Sequence, residues 1–220
     1  MTLVLASASP ARLATLRTAG FAPEVQVSSV DEPALLRDAG PDATPADQVL
    51  LLARAKARDV AATRQGALVI GCDSMLELDG EVHGKPTDAR EAVARWHRMR
   101  GRSGVLHTGH WLVDTRGGAT RGGVTRSRAA RAGASRAGAQ AGGVSSTTVH
   151  FADLSDAEVE AYVATGEPLA VAGAFTVDGL GGPFVTRIEG DHHGVVGLSL
   201  PLLRTLLAEL GVAVTDLWAR

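Results

Sequence analysis

Cysteine, aromatic residues and long apolar runs are all scarce in this 220-residue chain. The one cysteine, Cys72, has no internal disulfide partner, which is typical of proteins in a reducing compartment. Aromatic residues make up 4% of the chain and hydrophobic residues 45%, so we expect a core of Leu, Val and Ala. No apolar run reaches the length of a membrane span, and the opening LVLASA is too short for a signal sequence. We therefore expect a cytoplasmic protein that does not enter membranes.

Acidic residues are absent from one long segment. Residues 115–150 carry six arginines and no acid, which leaves 16 basic and 24 acidic residues in the rest of the chain. Between about 115 and 145 the segment is mostly Gly, Ala, Ser, Thr and Arg, with almost nothing to bury. The chain length suits one domain. We expect a single domain over 1–220 with a flexible insertion at about 115–145.

Apolar patterning alternates between strand and helix periods along the chain. Strands are predicted over 3–6, 25–27, 68–72, 75–78, 81–83, 105–113 and 147–151, and near 175–177 and 184–188. Helices are predicted over 10–19, 46–64, 88–100, 155–164 and 200–210. The pair Asp79-Gly80 is a strong hairpin signal between two of the strands. This alternation predicts an α/β protein with a mixed sheet.

The opening LASASPAR joins a strand directly to a helix. Ser9 suits the N-cap and Pro10 the first helical position. A helix N-terminus attracts anions, and a cation such as Arg12 in the first turn costs the helix up to about 1 kcal/mol. Two interpretations are open: an anion site in front of Arg12, or an ordinary capped helix with a solvated arginine.

Lys56 falls on the apolar face of the helix predicted over 46–64, in line with Val49 and Val60. A lysine buried there needs an anionic partner. The other interpretation is a lysine at the edge of the apolar stripe whose ammonium group reaches solvent.

The stretch VIGCDSMLELDGEVHGKP carries a further acid and a further base. Asp73 follows the apolar strand 68–72, so we place it at the C-terminal end of that strand, where α/β sheets bind ligands. Lys85 lies in a turn that can fold back toward Asp73, and Glu32 is another acid near a strand end. Such groups suit a metal ion and a phosphate, although a capping Asp and a surface Lys are equally open interpretations. The histidines lack the spacing of a zinc site.

Taken together, several stretches in one order resemble the Maf family of nucleoside triphosphate pyrophosphatases. These stretches are LASASPAR, VDEP, ARAKA, GCDSMLELDGEVHGKP, GVLHTGHWLV, YVATGEPLAVAGAFTVDGLGG and VVGLSLPLL. The resemblance covers nearly the whole chain apart from about 115–145.

The resemblance implies a Maf/Ham1 (ITPase-like) α/β fold, with an elongated mixed sheet flanked by helices and a central cleft. It implies hydrolysis of a nucleoside triphosphate to the monophosphate and pyrophosphate with Mg²⁺ or Mn²⁺, in a homodimer. Matched motif by motif, Asp73 is the catalytic acid and a metal ligand, and Glu32 assists at the metal. The residues that would hold the triphosphate are Ser9, Arg12, Lys56 and Lys85.

Three departures concern positions by which the family distinguishes bases. Ala11 replaces an arginine, Ser74 stands where many members have Thr, and Asp178 stands where thymidine- and uridine-type members have Gln. The base is therefore unassigned, and we expect removal of non-standard or surplus nucleotides. The alternative is a cell-division regulator or nucleic-acid-associated binding protein that uses the arginine-rich segment. That segment has no aromatic residue for base stacking, so nucleic acid is not the expected partner.

Overall fold

A computed structural model of the protein describes residues 1–117 and 138–219. The described strands are β1 (Thr2–Leu5), β2 (Glu24–Val25), β3 (Ala67–Leu78), β4 (Glu81–His83), β5 (Ser103–Asp114), β6 (Gln140–Phe151) and β7 (Val185–Glu189). The described helices are α1 (Pro10–Thr18), α2 (Glu32–Ala39), α3 (Pro45–Ala61), α4 (Ala89–Met99), α5 (Asp156–Ala164), α6 (His192–Val196) and α7 (Leu200–Glu209). Short 3₁₀ turns occupy Glu167–Ala170, Ala172–Ala174, Gly182–Phe184 and Val214–Leu217. No helix within these ranges is long and apolar enough to cross a bilayer.

The described strands form one mixed sheet in the order β2-β1-β3-β5-β6-β7, with β4 also paired to β3. Strand β1 lies parallel to β2 and β3, and every other pair is antiparallel. Helix α3 packs on one face of the sheet, and α6 and α7 pack on the other. The expected α/β class with a helix-flanked mixed sheet is confirmed.

Two apolar clusters lie along the long strands. The first joins β1, α1, α7 and the first half of β3, and consists largely of leucines such as Leu5, Leu16 and Leu203. The second surrounds Trp96 of α4, whose ring makes edge-to-face contacts with Phe151, Tyr162 and Phe184. The expected Leu, Val and Ala core therefore describes the first cluster, whereas the second gathers most of the few aromatic residues.

Helix α3 lies unusually close to the sheet because glycines face it. A Cβ atom on Gly71 of β3 would overlap the carbonyl oxygen of Ala53. A Cβ atom on Gly109 of β5 would likewise overlap the backbone of Val49 and Leu50. The helix backbone thus rests on the strand backbones, which brings its sheet-facing side chains onto the middle of β3.

Strand β3 corrects our placement of Asp73. The strand runs without interruption from Ala67 to Leu78, so Asp73 lies in its middle rather than at its C-terminal end. The reason is that β5 continues alongside, with Asp73 opposite Gly109 and Ser74 opposite Thr108. Pairing on this side extends the strand beyond the apolar run that predicted it.

On the edge of β3 that faces away from β5, the strand pairing is interrupted near Asp73. Strand β1 pairs with β3 as far as Ile70, and β4 pairs with it from Leu76 onward. Between them, residues 71–75 have no strand partner on that edge within the described part of the chain. We call this open edge the β3 notch. Asp73 and Ser74, two of the expected site residues, lie within it.

Other predictions were wrong in detail. Residues 175–177 form no strand: they lie between the 3₁₀ turns Ala172–Ala174 and Gly182–Phe184, and Phe175 packs in the cluster around Trp96 of α4. Strand β6 begins at Gln140, so residues 140–145 belong to the sheet and not to the insertion. Helices α2 and α6 were not predicted. The rest of the insertion, 118–137, lies outside the described residues.

His110 of β5 is a buried, neutral link between the sheet and α7. Its Nε2 accepts a hydrogen bond from the Ser199 N–H (2.8 Å), and its Nδ1 therefore donates to the Thr108 carbonyl (3.0 Å). Burial, helped by the positive charge of Arg12, lowers the pKa of His110 from 6.5 to about 4. Protonation would break the bond that fixes the start of α7.

We expect His110 to make stability depend on pH. Above about pH 6.5 the imidazole is neutral in both states, and as the pH falls toward 4 only the unfolded chain takes up the proton. This difference removes about 3 kcal/mol of the free energy of unfolding between the two pH values. Urea unfolding at pH 7.5 and 4.5 should show a smaller loss for His110→Gln than for wild type, whereas the exposed His192→Gln should match wild type. Equal losses in all three proteins would contradict this assignment.

The close approach of α3 predicts a sharp cost for the smallest added side chain. Gly109→Ala places a methyl group into the α3 backbone and should lower the free energy of unfolding by about 3 kcal/mol or more. The control is Gly143→Ala on β6, where the methyl group meets only the flexible tip of Leu202. Chemical denaturation of both variants measures the difference, and comparable small losses would show that α3 can move away from the sheet.

Candidate active site

Lys56 of α3 lies at the centre of the site, between two carboxylates. Its Nζ is 2.6 Å from Asp73 Oδ1 and 2.8 Å from Glu32 Oε1. Lys56 and Asp73 are each 8% exposed, and Glu32 is more open to solvent. The open question on Lys56 is thus answered: it is a buried lysine with anionic partners and does not extend to solvent.

Local sequence signals fix two of the three elements that meet here. Helix α3 starts with a reciprocal capping box between Thr44 and Asp47, which sets its register and turns Lys56 toward the sheet. Helix α2 starts with Asp31 as the N-cap, so Glu32 lies in a first helical turn and not at a strand end. The Asp-Glu-Pro sequence is a helix-start signal that could have predicted α2.

The Asp73 side chain lies in an environment that disfavours the charged form of its carboxyl group. Burial raises the pKa of Asp73, and the nearby charges of Lys56 and Arg12 offset this effect only in part. A buried carboxylate with a raised pKa, held against a lysine, is characteristic of functional sites. Such a group can accept a proton from water or bind a metal ion.

Arg12 of α1 lies at the β3 notch and is engaged by the protein itself. Its Nε–H donates to the Gly197 carbonyl (2.8 Å), and its terminal nitrogens donate to the Cys72 carbonyl (2.8 Å), Ser7 Oγ (3.0 Å) and Ser74 Oγ (3.0 Å). These bonds use four of its five N–H groups. Arg12 therefore ties α1 to β3 and to the end of α6. Ser7 and Gly197, which our sequence analysis missed, complete this cluster.

Ser9 is the N-cap of α1, as expected. Its side chain accepts from the Arg12 backbone N–H (3.4 Å), and its own N–H donates to Ser7 Oγ (3.2 Å). Because the Arg12 side chain reaches β3, the N-terminus of α1 lies next to the notch. The predicted anion site and Asp73 thus lie in one region of the molecule.

Lys85 lies in the turn that follows β4, at the Leu76 end of the notch. His83 of β4 pairs with Leu76 of β3 in an antiparallel ladder, so the chain after β4 runs back along β3 toward Asp73. Lys85 is exposed and makes no hydrogen bond or ion pair with the residues that the structure describes. The expected fold-back of this turn agrees with the direction of the strand.

The three positions expected from the family resemblance to distinguish bases are placed differently. Ala11 is half-buried in the first turn of α1, next to Arg12. Ser74 lies on the sheet face opposite Asp73, where its hydroxyl contacts Arg12 and Thr108 Oγ1 (2.9 Å). Asp178 is exposed on the loop after the 3₁₀ turns. The contacts bring Ser74 into the Arg12 cluster and leave Asp178 outside it.

The donor set at Lys56 limits the kind of metal site. Within the described residues, no group of three or more His, Cys, Asp or Glu side chains is arranged to hold a metal ion. Asp73 and Glu32 are the two carboxylates that face a common cation, Lys56 Nζ. Magnesium ions are commonly bound by one or two carboxylates together with substrate phosphates and water. The residues therefore fit a hard divalent ion whose coordination a phosphate ligand completes.

Comparisons with known proteins identify the family of this chain. A nucleoside triphosphate pyrophosphatase from Salinispora tropica is 56% identical over 224 residues, covering 99% of this chain and 88% of that protein. One from Streptomyces coelicolor is 53% identical, covering 99% and 94%. A solved dITP/XTP pyrophosphatase from Mycobacterium abscessus aligns with a TM-score of 0.35 at 16% identity, over 70% of this chain and 74% of that one. The family profile described as Maf-like protein matches residues 2–210, and the chain belongs to this family.

Proposed function

We propose that the protein hydrolyses nucleoside triphosphates to the nucleoside monophosphate and pyrophosphate. The observation that carries this proposal is the buried Asp73–Lys56 ion pair, joined by the more exposed Glu32, beside the N-terminus of α1 at the β3 notch. The family and the relatives named nucleoside triphosphate pyrophosphatase support the same reaction.

The reaction needs an activated water and neutralisation of negative charge. Water attacks the α-phosphorus, the bond from that phosphorus to the oxygen bridging to the β-phosphorus breaks, and pyrophosphate leaves. The attacking water must lose a proton, and Asp73 is the carboxylate placed to accept it, because its pKa is raised by burial. Glu32 shares Lys56 with Asp73 and adds negative charge that holds a cation in place.

Cations and N–H groups on both sides of the notch suit the triphosphate. Lys56 contributes an ammonium group from α3, and Lys85 contributes one from the turn after β4. The N-terminus of α1, capped by Ser9, supplies backbone N–H groups and a partial positive charge. Four of the five N–H groups of Arg12 donate to the protein itself, and one remains for a ligand. The main role of Arg12 is therefore to fix the position of α1 at the notch.

Asp73 and Glu32 would hold the divalent cation, Mg²⁺ or Mn²⁺, with the phosphates completing its coordination. When bound, the ion supplies positive charge that lowers the cost of the negative charge developing on the phosphoryl oxygens.

The base specificity follows from side chains that differ in hydrogen-bonding capacity. Ala11 offers no donor, Ser74 is engaged by Arg12, and the Asp178 carboxylate accepts but does not donate. We propose that the enzyme removes non-standard or surplus nucleotides rather than one standard triphosphate. Its assembly as a homodimer stays a prediction of the family resemblance.

Asp73→Asn should abolish most of the activity and leave the fold intact. Loss of the proton acceptor should lower the rate of pyrophosphate release at least ~100-fold. Release is measured for wild type and variant with a panel of standard and modified nucleoside triphosphates. Glu77→Gln, on the same strand and face, is the matched control and should stay active. Near-normal turnover in Asp73→Asn would refute the proposed role, and one standard substrate far above the others would refute the proposed specificity.

The same group of residues predicts opposite stability effects for two neutralising variants. Asp73→Asn removes a buried charge while its amide oxygen can still accept from Lys56, so the free energy of unfolding should stay equal or rise. Lys56→Met leaves the buried Asp73 carboxylate without its ammonium partner and should lower the free energy of unfolding by about 3 kcal/mol. Urea denaturation at pH 7.5 compares the two. A large loss in Asp73→Asn would show that the ion pair mainly stabilises the fold.

Divalent cations should act together with the nucleotide. Chelation should stop pyrophosphate release, and Mg²⁺ or Mn²⁺ should restore it. Two carboxylates alone bind such ions weakly, so metal alone should barely change the melting temperature. Metal with a non-hydrolysable triphosphate analogue should raise the melting temperature by several degrees, since a ligand at roughly 100 times its Kd stabilises the folded state by about 2.7 kcal/mol. Full activity in chelator would contradict the assignment of Asp73 and Glu32 to a metal ion.

A further inference from the structure

We propose that Arg95 and Glu91 of α4 are positioning residues that hold the turn 84–87 so that Lys85 presents its ammonium group to the polyphosphate. This inference rests on the proposed function, because it assigns Lys85 to the same substrate.

Arg95 holds the start of the turn. Its side chain is 4% exposed, and one terminal nitrogen donates to the Gly84 carbonyl at 2.6 Å. The other terminal nitrogen forms an ion pair with Glu91, one helical turn earlier in α4. The Gly84 carbonyl also accepts from the Gly173 N–H at 3.1 Å. The residue before Lys85 is therefore fixed from two directions.

Glu91 holds the end of the same turn. Its Oε2 accepts from the Thr87 N–H (2.7 Å) and from the Thr87 hydroxyl (2.8 Å), while its Oε1 pairs with Arg95. Pro86, between the two held residues, is buried. One ion pair on α4 thus contacts both ends of a four-residue turn. Lys85 and Thr87 are both exposed, but Thr87 is bonded to Glu91, whereas Lys85 has no hydrogen bond or ion pair with the described residues.

Burying the charged guanidinium group of Arg95 costs desolvation free energy, which the contacts of that group must offset. Its buried neighbours on α4 are the apolar residues Ala92, Trp96 and Met99. An apolar side chain of similar length would fill the position without removing a guanidinium group from water. Such a side chain has no donor for the Gly84 carbonyl, which a guanidinium can reach while it also holds Glu91. The guanidinium group of Arg95 therefore provides the contact with the turn 84–87.

Arg95 acts through Lys85 and not on the substrate. It makes no hydrogen bond or ion pair with Asp73, Lys56 or Glu32 among the described contacts. Lys85 itself has no partner in the described part of the chain, so its ammonium group is free for an anion. A lysine on a fixed backbone loses less conformational freedom when it binds phosphate than one on a mobile loop.

A double-mutant cycle on pyrophosphate release tests the proposal. Lys85→Ala should lower kcat/KM about 100-fold, and Arg95→Met about 10-fold by misplacing the turn. In the Lys85→Ala background, Arg95→Met should have no further effect, because the group that it positions is gone. Arg95→Lys, which restores one donor, should recover part of the loss. Arg98→Met, in the same helix and paired with Glu81 at the hairpin tip, is the matched control and should match wild type.

Each other result has a defined meaning. Additive losses in the double variant, or normal activity of Lys85→Ala, would overturn the inference while pyrophosphate release by wild type still supports the proposed function. Absence of release from wild type would instead refute the proposed function. Should Arg95→Met fail to fold, the same cycle is run with Glu91→Gln, which keeps the shape of the side chain, and the loss in kcat/KM must again vanish without Lys85.

Discussion

The ion-paired Lys56 ammonium group, shared by Asp73 and Glu32, is the interaction on which the site depends. It forms because α3 lies directly on β3 and β5, where Gly71 and Gly109 have no side chain to hold the helix away. A thicker layer between helix and sheet would leave a buried lysine and a buried aspartate unpaired, at a cost of several kcal/mol each. The two glycines therefore determine the chemistry of the site as much as its charged residues do.

The β3 notch leaves this group beside an edge of β3 that has no strand partner within the described residues. Strand β3 keeps β5 on one side along nearly its whole length, while its neighbours on the other side stop at Ile70 and resume at Leu76. Helix α1 closes one end of the gap through Arg12, and the turn held by Arg95 follows β4 at the other. Continuous strands on one edge keep both ends in a fixed relation, which suits a site that must hold several phosphates at once.

Much of the fold follows from local sequence signals. The capped helix start at Ser9 and the Asp79-Gly80 hairpin appear where they were predicted, because each depends on residues within one turn. Of the predicted site residues, the structure brings Lys56, Asp73 and Glu32 into direct contact, which the sequence did not specify. Lys56 was identified as a lysine in need of an anion, but its interpretation stayed open until the distances to Asp73 and Glu32 were known.

The sequence by itself determined the class of fold and the family, and it named the charged residues of the candidate site, since periodicity, caps and motifs are local properties of the chain. Only the tertiary structure decided that Asp73 lies in the middle of a strand and that most N–H groups of Arg12 donate to other groups of the protein. It also decided that the buried Arg95 of α4 contacts the turn that carries Lys85. These features arise from strand pairing and from contacts between residues far apart in the chain. Their energies depend on burial and distance, which no local pattern of residues specifies.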